Sequence, residues 1–282
     1  MHKKEHTYVI VKSTKTINKK GVFLMSTLQQ NALQFNSNCS ISNDGGQLSS
    51  DSGLLLVQEF LHHIGFDALL QEHCVFFDPR KYCFHSSLDL FKQLLFQTIV
   101  GYKADSVSDS LCHDPVFTLA LSKDALASQP TMSRFTQWWD ASAFNGLQSL
   151  NRQLGNQFVQ QMNCQEMVID VDSTHSDTFG KQENTAYNGH YGTVGYHPLV
   201  AFDGLTGFFL GAQLRPGNVY TSNGVADFLR PIVKQFRGGT GDRQLLIRGD
   251  SGFATPEVYQ LCEELRVGFD PAQIQREAST IG

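Results

Sequence analysis

From residue 54 onward the apolar positions recur at helical spacing. Leu54, Leu55, Val57, Phe60, Leu61 and Ile64 follow Ser52 and stop at Gly65, which predicts an amphipathic helix. A second helix is predicted from about Ser86 to Val100, carrying Leu88, Leu90, Phe91, Leu94, Leu95 and Ile99. A third run, near Ser106 to Leu111, is cut by Pro115. Thr131, following Pro130, reads as the N-cap of a helix with Met132, Phe135, Trp138 and Trp139, and Ala143 to Met162 completes the set. Residues 25–164 therefore read as a mostly helical region behind an irregular lead-in, 25–53, rich in Asn, Ser, Gln and Gly.

At residue 165 the period changes from 3.6 to 2. Met167 to Asp172 alternates into an acidic end, as a central strand would. His197 to Asp203 and Phe208 to Leu214 flank the turn Gly204-Leu205-Thr206-Gly207 and predict a hairpin. A helix over 222–236, a strand over 244–250 ending in Asp250, and a helix from Thr255-Pro256-Glu257 to Arg266 follow. The order is β-β-β-α-β-α, so the predicted fold class is α/β, a helical N-terminal region followed by a mixed sheet.

Composition narrows the setting. The chain has 282 residues, 41% hydrophobic and 17% charged, enough for about two folded domains. Its six Cys include no Cys-x-x-Cys pair, which argues against a disulfide framework and for a reducing cytoplasm. No apolar run approaches the length of a membrane span, so no membrane partner is expected. The net charge of −5 is uneven: residues 1–24 hold Lys3, Lys4, Lys12, Lys15, Lys19 and Lys20 against Glu5. That basic extension has no periodicity and is expected to be disordered, and Met25-Ser26-Thr27-Leu28 reads as an alternative start. The acidic remainder gives no global pull toward nucleic acid, so any DNA binding should come from local patches and be salt-sensitive.

Candidate chemistry centres on Asp172 and Asp250. Each closes a predicted strand and is followed by a Ser. If the two strands are neighbours, both carboxylates converge at one sheet edge, and hard oxygen donors so placed suit Mg²⁺ or Mn²⁺ and phosphoryl chemistry on nucleic acid. The competing reading is that both only cap the turns that follow them. Gly249-Asp250-Ser251-Gly252 also matches the nucleophile word of trypsin-like proteases, but a helix follows it and no Ala-Ala-His-Cys word precedes it. His73, Cys74, Cys83 and His85 are too widely spaced for a compact zinc site. Gly238-Gly239-Thr240-Gly241 lacks the ending of a phosphate-binding loop. Trp138-Trp139 suit a core better than base stacking. Arg134, near a helix start, and Lys181, Arg215 and Arg248, near the acidic edge, are the DNA-binding candidates, with pairing to a neighbouring acid as the other option for Arg248.

A series of words in fixed order carries a resemblance. They are Asp114-Pro115-Val116-Phe117, Gln129-Pro130-Thr131-Met132, Asp170-Val171-Asp172-Ser173-Thr174-His175, Tyr187-Asn188-Gly189-His190, Gly195-Tyr196-His197-Pro198-Leu199, Arg215-Pro216-Gly217-Asn218 and Arg248-Gly249-Asp250-Ser251-Gly252-Phe253. Together, over residues 25 to about 269, they resemble the DDE-domain transposases of bacterial insertion sequences, closest to the group named for insertion sequence thirteen-eighty. The resemblance implies a ribonuclease-H-like core over 165–269 in which a D, D, E triad holds two divalent metals, Mg²⁺ or Mn²⁺. It carries the first Asp to Asp172, with Asp170 as a neighbouring metal candidate, and the second to Asp250.

It further implies a homodimer on double-stranded DNA that acts at terminal inverted repeats and target DNA, in a bacterial cytoplasm and on the nucleoid when DNA-bound. The third carboxylate should be a Glu on a later helix, within Tyr-x-x-Arg-x-x-x-Glu and a following Lys. Glu257, Glu263, Glu264 and Glu277 lack those partners. Residues 270–282 show no strand alternation and place Pro271 where a ladder needs a donor. The expectation is an incomplete ribonuclease-H-like domain in a C-terminally truncated copy, impaired in strand transfer. The alternative is a non-catalytic DNA-binding or dimerising fragment that regulates full-length transposase.

Overall fold

The helical spacing from residue 54 folds into seven helices. They are α1 (Leu54–His63), α2 (Phe66–His73), α3 (Ser87–Ile99), α4 (Val107–Leu111), α5 (Pro115–Ala120), α6 (Gln129–Gln137) and α7 (Ala141–Met162). The structure, a computed structural model, describes residues 33–36, 51–237 and 243–271. It also describes five short strands: β1 (Tyr8–Val9), β2 (Lys15–Ile17), β3 (Phe23–Met25), β4 (Asn31–Ala32) and β5 (Ser40–Ser42). Apart from those strands, the disorder expected of residues 1–24, the Gly238–Gly241 loop and the tail from residue 272 lie outside the described residues. The chain divides into two compact units, Met1–Leu147 and Gln148–Gly282, with the boundary inside α7. Among the described residues no helix is long and apolar enough to cross a membrane.

Local chemistry explains where the helices begin. Gly65 ends α1 as expected, but its left-handed backbone (φ +69°) also turns the chain straight into α2, a helix missing from the spacing-based expectation. Ser86 opens α3 with a capping box: its hydroxyl accepts from the Asp89 amide, and the Asp89 carboxylate accepts from the Ser86 amide. Two expectations are corrected. Pro115 does not cut a helix; it is the first residue of α5, where the missing N–H costs nothing, and Asp114 caps it by accepting from the Val116 and Phe117 amides. Thr131 is not a cap; α6 opens at Gln129 behind Ser128, with Pro130 in its first turn.

Leu54, Leu55, Phe96, Val116, Phe117 and Ala120 form the core of this unit. Trp139 packs among Phe76, Phe91, Phe135 and Phe144, and Trp138 lies under the Arg80 guanidinium, 5.1 Å from its carbon. Asp78 grips Arg80 through both carboxylate oxygens, at 2.8 and 2.7 Å.

The second unit is built on a five-stranded sheet of β6 (Glu166–Ser173), β10 (Leu199–Asp203), β11 (Phe209–Gln213), β12 (Gln244–Gly249) and β13 (Gly268–Pro271). Its spatial order is β11-β10-β6-β12-β13. β10 is antiparallel to β6 and β11, and β12 is parallel to β6 and β13. α8 (Val225–Arg237) joins β11 to β12, and α9 (Pro256–Leu265) joins β12 to β13. This is the ribonuclease-H-like arrangement. Between β6 and β10 the chain inserts a small sheet, β7 (Ser176–Asp177), β8 (Ala186–Asn188) and β9 (Thr193–Tyr196), in the order β7-β9-β8.

The end of the sheet corrects another expectation, since the strand pattern continues past Phe269: Asp270 and Pro271 pair with Arg248 and Gly249. β13 stands at the sheet edge, and Pro271 is its last residue, positions where proline is tolerated.

Alternation along the central strands separates two faces. Met167, Ile169, Val171, Leu245 and Ile247 are buried with Val159 of α7, Leu229 and Val233 of α8 and Val258 and Leu261 of α9. The intervening positions, Val168, Asp170 and Asp172 on β6 and Leu246 and Arg248 on β12, point the other way and stay partly or fully exposed.

The Asp78 carboxyl is held down at about 2 from its ordinary 3.8, chiefly by the hydrogen bond from Arg80. A depressed carboxyl stabilises the fold above its unfolded pKa and loses that contribution as pH falls through the folded value. Acid titration of the folded protein should therefore show a loss of stability between about pH 4 and pH 2, and Asp78→Asn should flatten that limb, as read by circular dichroism.

Candidate catalytic edge of the sheet

Parallel pairing of β6 and β12 sets the register of the site. Gln244 faces Glu166, and the pairing runs to Arg248 facing Asp170. Asp172 and Asp250 each lie two residues further on, past the last paired position, Asp172 near the end of β6 and Asp250 just after β12. The register thus leads the two acidic positions that the sequence singled out to the same end of the sheet. Asp172 is exposed and Asp250 is half-buried.

Each carboxylate has one oxygen engaged. Asp172 Oδ1 accepts from the Ser173 amide at 2.7 Å, and Asp250 Oδ1 accepts from the Gly252 amide at 2.9 Å as the cap of a 3-10 turn, Ser251–Phe253. The turn-capping reading is therefore correct as far as it goes, but among the described residues it leaves the second oxygen of each carboxylate for another ligand. Two hard oxygen donors suit a divalent cation completed by phosphates and waters. Among the described residues no group of three or more His, Cys, Asp and Glu side chains stands ready to hold a metal. Glu257, Glu263 and Glu264 lie on α9, which packs through Val258, Leu261 and Cys262 on the buried side of the sheet.

Asp170 is engaged differently. Its two oxygens accept from Arg248 Nε and Nη2, both at 2.6 Å, a fork-to-fork pair that raises the Arg248 pKa. Of the two options read for Arg248, the pairing with a neighbouring acid is the one formed.

Arg215 is corrected outright as a DNA contact. It is 5% exposed, and burial lowers its pKa. Nε donates to the His197 carbonyl at 2.9 Å, and Nη1 donates to the carbonyls of Tyr220, Thr221 and Asn223. His197 Nδ1 meets the Val219 carbonyl at 2.8 Å. Together these residues hold segment 219–223 beside the site, where Ser173 Oγ donates to Thr221 Oγ1 at 3.4 Å. Among the described residues Arg215 Nη2 has no hydrogen-bond partner, but it is buried, so the guanidinium offers no solvent-facing edge to a phosphate.

Arg134 is exposed but sits in the last turn of α6, so the helix-start rationale for it fails. Lys181 is exposed in the loop between β7 and β8.

The inserted small sheet shows what sequence reasoning passed over. His175 Nε2 lies 2.9 Å from Asp177 Oδ1 and 2.8 Å from Thr193 Oγ1, and its ring stacks on Tyr191 with centroids 4.4 Å apart. Thr193 and then His175 pull the Asp177 pKa down. Asn188 holds the turn that presents Tyr191, accepting from the His190 and Tyr191 amides while donating to the Gly217 carbonyl at 2.7 Å. Gly217 itself admits no side chain, since a Cβ would overlap the Ala186 carbonyl oxygen. The signal was present in the words around Tyr187-Asn188 and Arg215-Pro216-Gly217-Asn218; their shared role is to seat one loop on another.

The profile of the family described as Transposase DDE domain group 1 matches residues 31–270. The chain belongs to this family. Among solved structures, this DDE-domain chain is similar to the catalytic domain of Mos1 mariner transposase, at 10% identity and a TM-score of 0.29, over 45% of this chain and 59% of that one. It is also similar to a piggyBac transposase synaptic complex with hairpin DNA, at 16% identity and 0.32, over 81% and 43%. A third similarity is to a Mos1 mariner paired-end complex with Mn, at 11% identity and 0.27, over 79% and 78%. The chain spans less than two thirds of the length of the first of these. No curated protein matches it.

Arg215→Ala should lower the stability of the DDE domain by about 3 kcal/mol, since it orphans four carbonyls of a buried loop. Arg215→Lys should recover little, because one ammonium cannot reproduce the planar fork. Urea unfolding followed by fluorescence measures both.

Proposed function

We propose that the chain is the catalytic part of a DNA transposase whose Asp172 and Asp250 hold divalent metal, Mg²⁺ or Mn²⁺, for phosphoryl transfer on double-stranded DNA. The observation that carries this reading is the parallel register of β6 and β12, which leads Asp172 and Asp250, two residues past its last pair, to one end of the sheet, each with one oxygen accepting from a backbone amide and, among the described residues, the other without a partner. When bound, the metal would supply activation of the attacking oxygen and stabilisation of the leaving one. The chain's own part is positional: the Ser173 and Gly252 amides orient the carboxylates, and segment 219–223, held by Arg215, walls the site. The substrates on this reading are the terminal inverted repeats of a bacterial insertion sequence of the thirteen-eighty group, and target DNA. The helical unit serves end binding and dimer contacts, and exposed Arg134 and Lys181 contact phosphates. On this reading the D, D, E set is incomplete, since Glu257, Glu263, Glu264 and Glu277 lack the Tyr, Arg and Lys partners of the third carboxylate, and strand transfer is impaired.

The test is a duplex carrying the ends of the element that encodes the chain, incubated with purified protein and Mg²⁺. At most weak nicking without efficient strand transfer is expected, with Asp172→Asn and Asp250→Asn abolishing it while a gel shift on the same duplex stays unchanged; efficient strand transfer would overturn the impaired reading. Binding without nicking by the unmodified chain would instead favour a regulatory DNA-binding fragment.

In a separate titration, Lys181→Ala and Arg134→Ala should each make the dependence of log affinity on log salt shallower by about 1, the share of one phosphate contact. Fluorescence anisotropy across a salt series reads this slope.

A further inference from the structure

The geometry points to Asp170 and Arg248 as a cross-strand clamp that sets the spacing of Asp172 and Asp250, with Gly204 required for it to close. This rests on the proposed role of those two carboxylates as metal ligands. The Asp170–Arg248 pair is the last point of register between β6 and β12. Beyond it the strands part company. β6 continues only beside β10, where Asp172 faces Val200, and β12 ends at Gly249, so that Asp250 already opens the 3-10 turn.

The two carboxylates therefore stand one step past the place where backbone pairing holds their strands together. The fork sits at that place, two residues before each carboxylate and on the same face. A planar guanidinium bonded through two nitrogens to two oxygens fixes both separation and stagger, which one hydrogen bond cannot do.

The neighbours support the same role. Asp270 faces Arg248 from β13, and its charge adds to the hold on the guanidinium. Gly204, in the β10–β11 turn, lies against the pair: a Cβ there would overlap Asp170 Oδ2 and come 2.8 Å from Arg248 Nη2. Gly204 cannot withdraw freely, because its amide donates to the Val168 carbonyl at 2.7 Å. The pair is also too open to be a major stabiliser of the fold, with 41% of the Arg248 and 34% of the Asp170 side chain exposed. Its removal should therefore act on the site and spare the fold. A metal site needs its ligands held within about 0.5 Å, and partners one layer out from metal ligands typically contribute about 10–100-fold in metal affinity. Asp170 is on this account a positioning residue and not a ligand.

The experiment measures Mn²⁺ affinity of the full chain by electron paramagnetic resonance titration, with a melting curve for each variant to verify folding. Arg248→Gln, Asp170→Asn and Gly204→Ala should each weaken Mn²⁺ binding by about tenfold or more at a little-changed melting temperature. The exchanged pair, Asp170→Arg with Arg248→Asp, should recover part of the loss.

The clamp is overturned, with the metal reading intact, if Arg248→Gln and Gly204→Ala bind Mn²⁺ as the unmodified chain does while Asp172→Asn and Asp250→Asn do not. It is overturned in favour of Asp170 as a direct ligand if Asp170→Asn alone loses binding. If the unmodified chain binds no Mn²⁺, both the clamp and the metal reading fall.

Discussion

The period-two alternation of β6 is the constraint on which the second unit depends. Met167, Ile169 and Val171 on one side must be dry, and they are, under α8, α9 and the end of α7. The alternate positions are thereby committed to the other face, where Asp170 and Asp172 can keep their charge without the several kcal/mol that burial of an unpaired carboxylate would cost. A slip of one residue would exchange the two sets, so the apolar core fixes where the carboxylates point. β12 repeats the pattern with Leu245 and Ile247 inward and Arg248 outward, and parallel pairing with β6 runs as far as Arg248 opposite Asp170.

Polar side chains that look like ligand-binding chemistry spend most of their hydrogen bonds on the backbone. Arg215 bonds four carbonyls, Asn188 joins the small sheet to Gly217, and buried Asp203 accepts from the Val168 amide and holds the β10–β11 turn. Most buried polar groups are hydrogen-bonded, and these bonds tie the loops of the second unit to one another. Among the described residues Asp172 and Asp250, by contrast, each spend only one oxygen on the backbone.

The helical unit shows how far local rules extend. Ser86 with Asp89, and Asp114 with Pro115, are capping signals written within four residues, and the structure uses both. Where one residue has two permitted roles, the rule alone was insufficient. Pro115 can end a helix or begin one, and Gly65 can close one helix while opening the next. Which role is taken depends on whether the following residues, Val116 and Phe117 or Phe66 and Leu70, find a core to enter.

By itself, the sequence determined the change from helical to strand period near residue 165, the hairpin at Gly204, and the two acidic strand ends at Asp172 and Asp250. These depend on spacing and composition within short windows, where the physics is local. Only the tertiary structure decided that β6 and β12 are neighbours in parallel register, that Asp170 is taken by Arg248, that Arg215 is buried, and that Asp270 and Pro271 extend a fifth strand. Each depends on a contact between residues far apart along the chain. The choice among their partners is made by packing and desolvation, which a linear pattern does not contain.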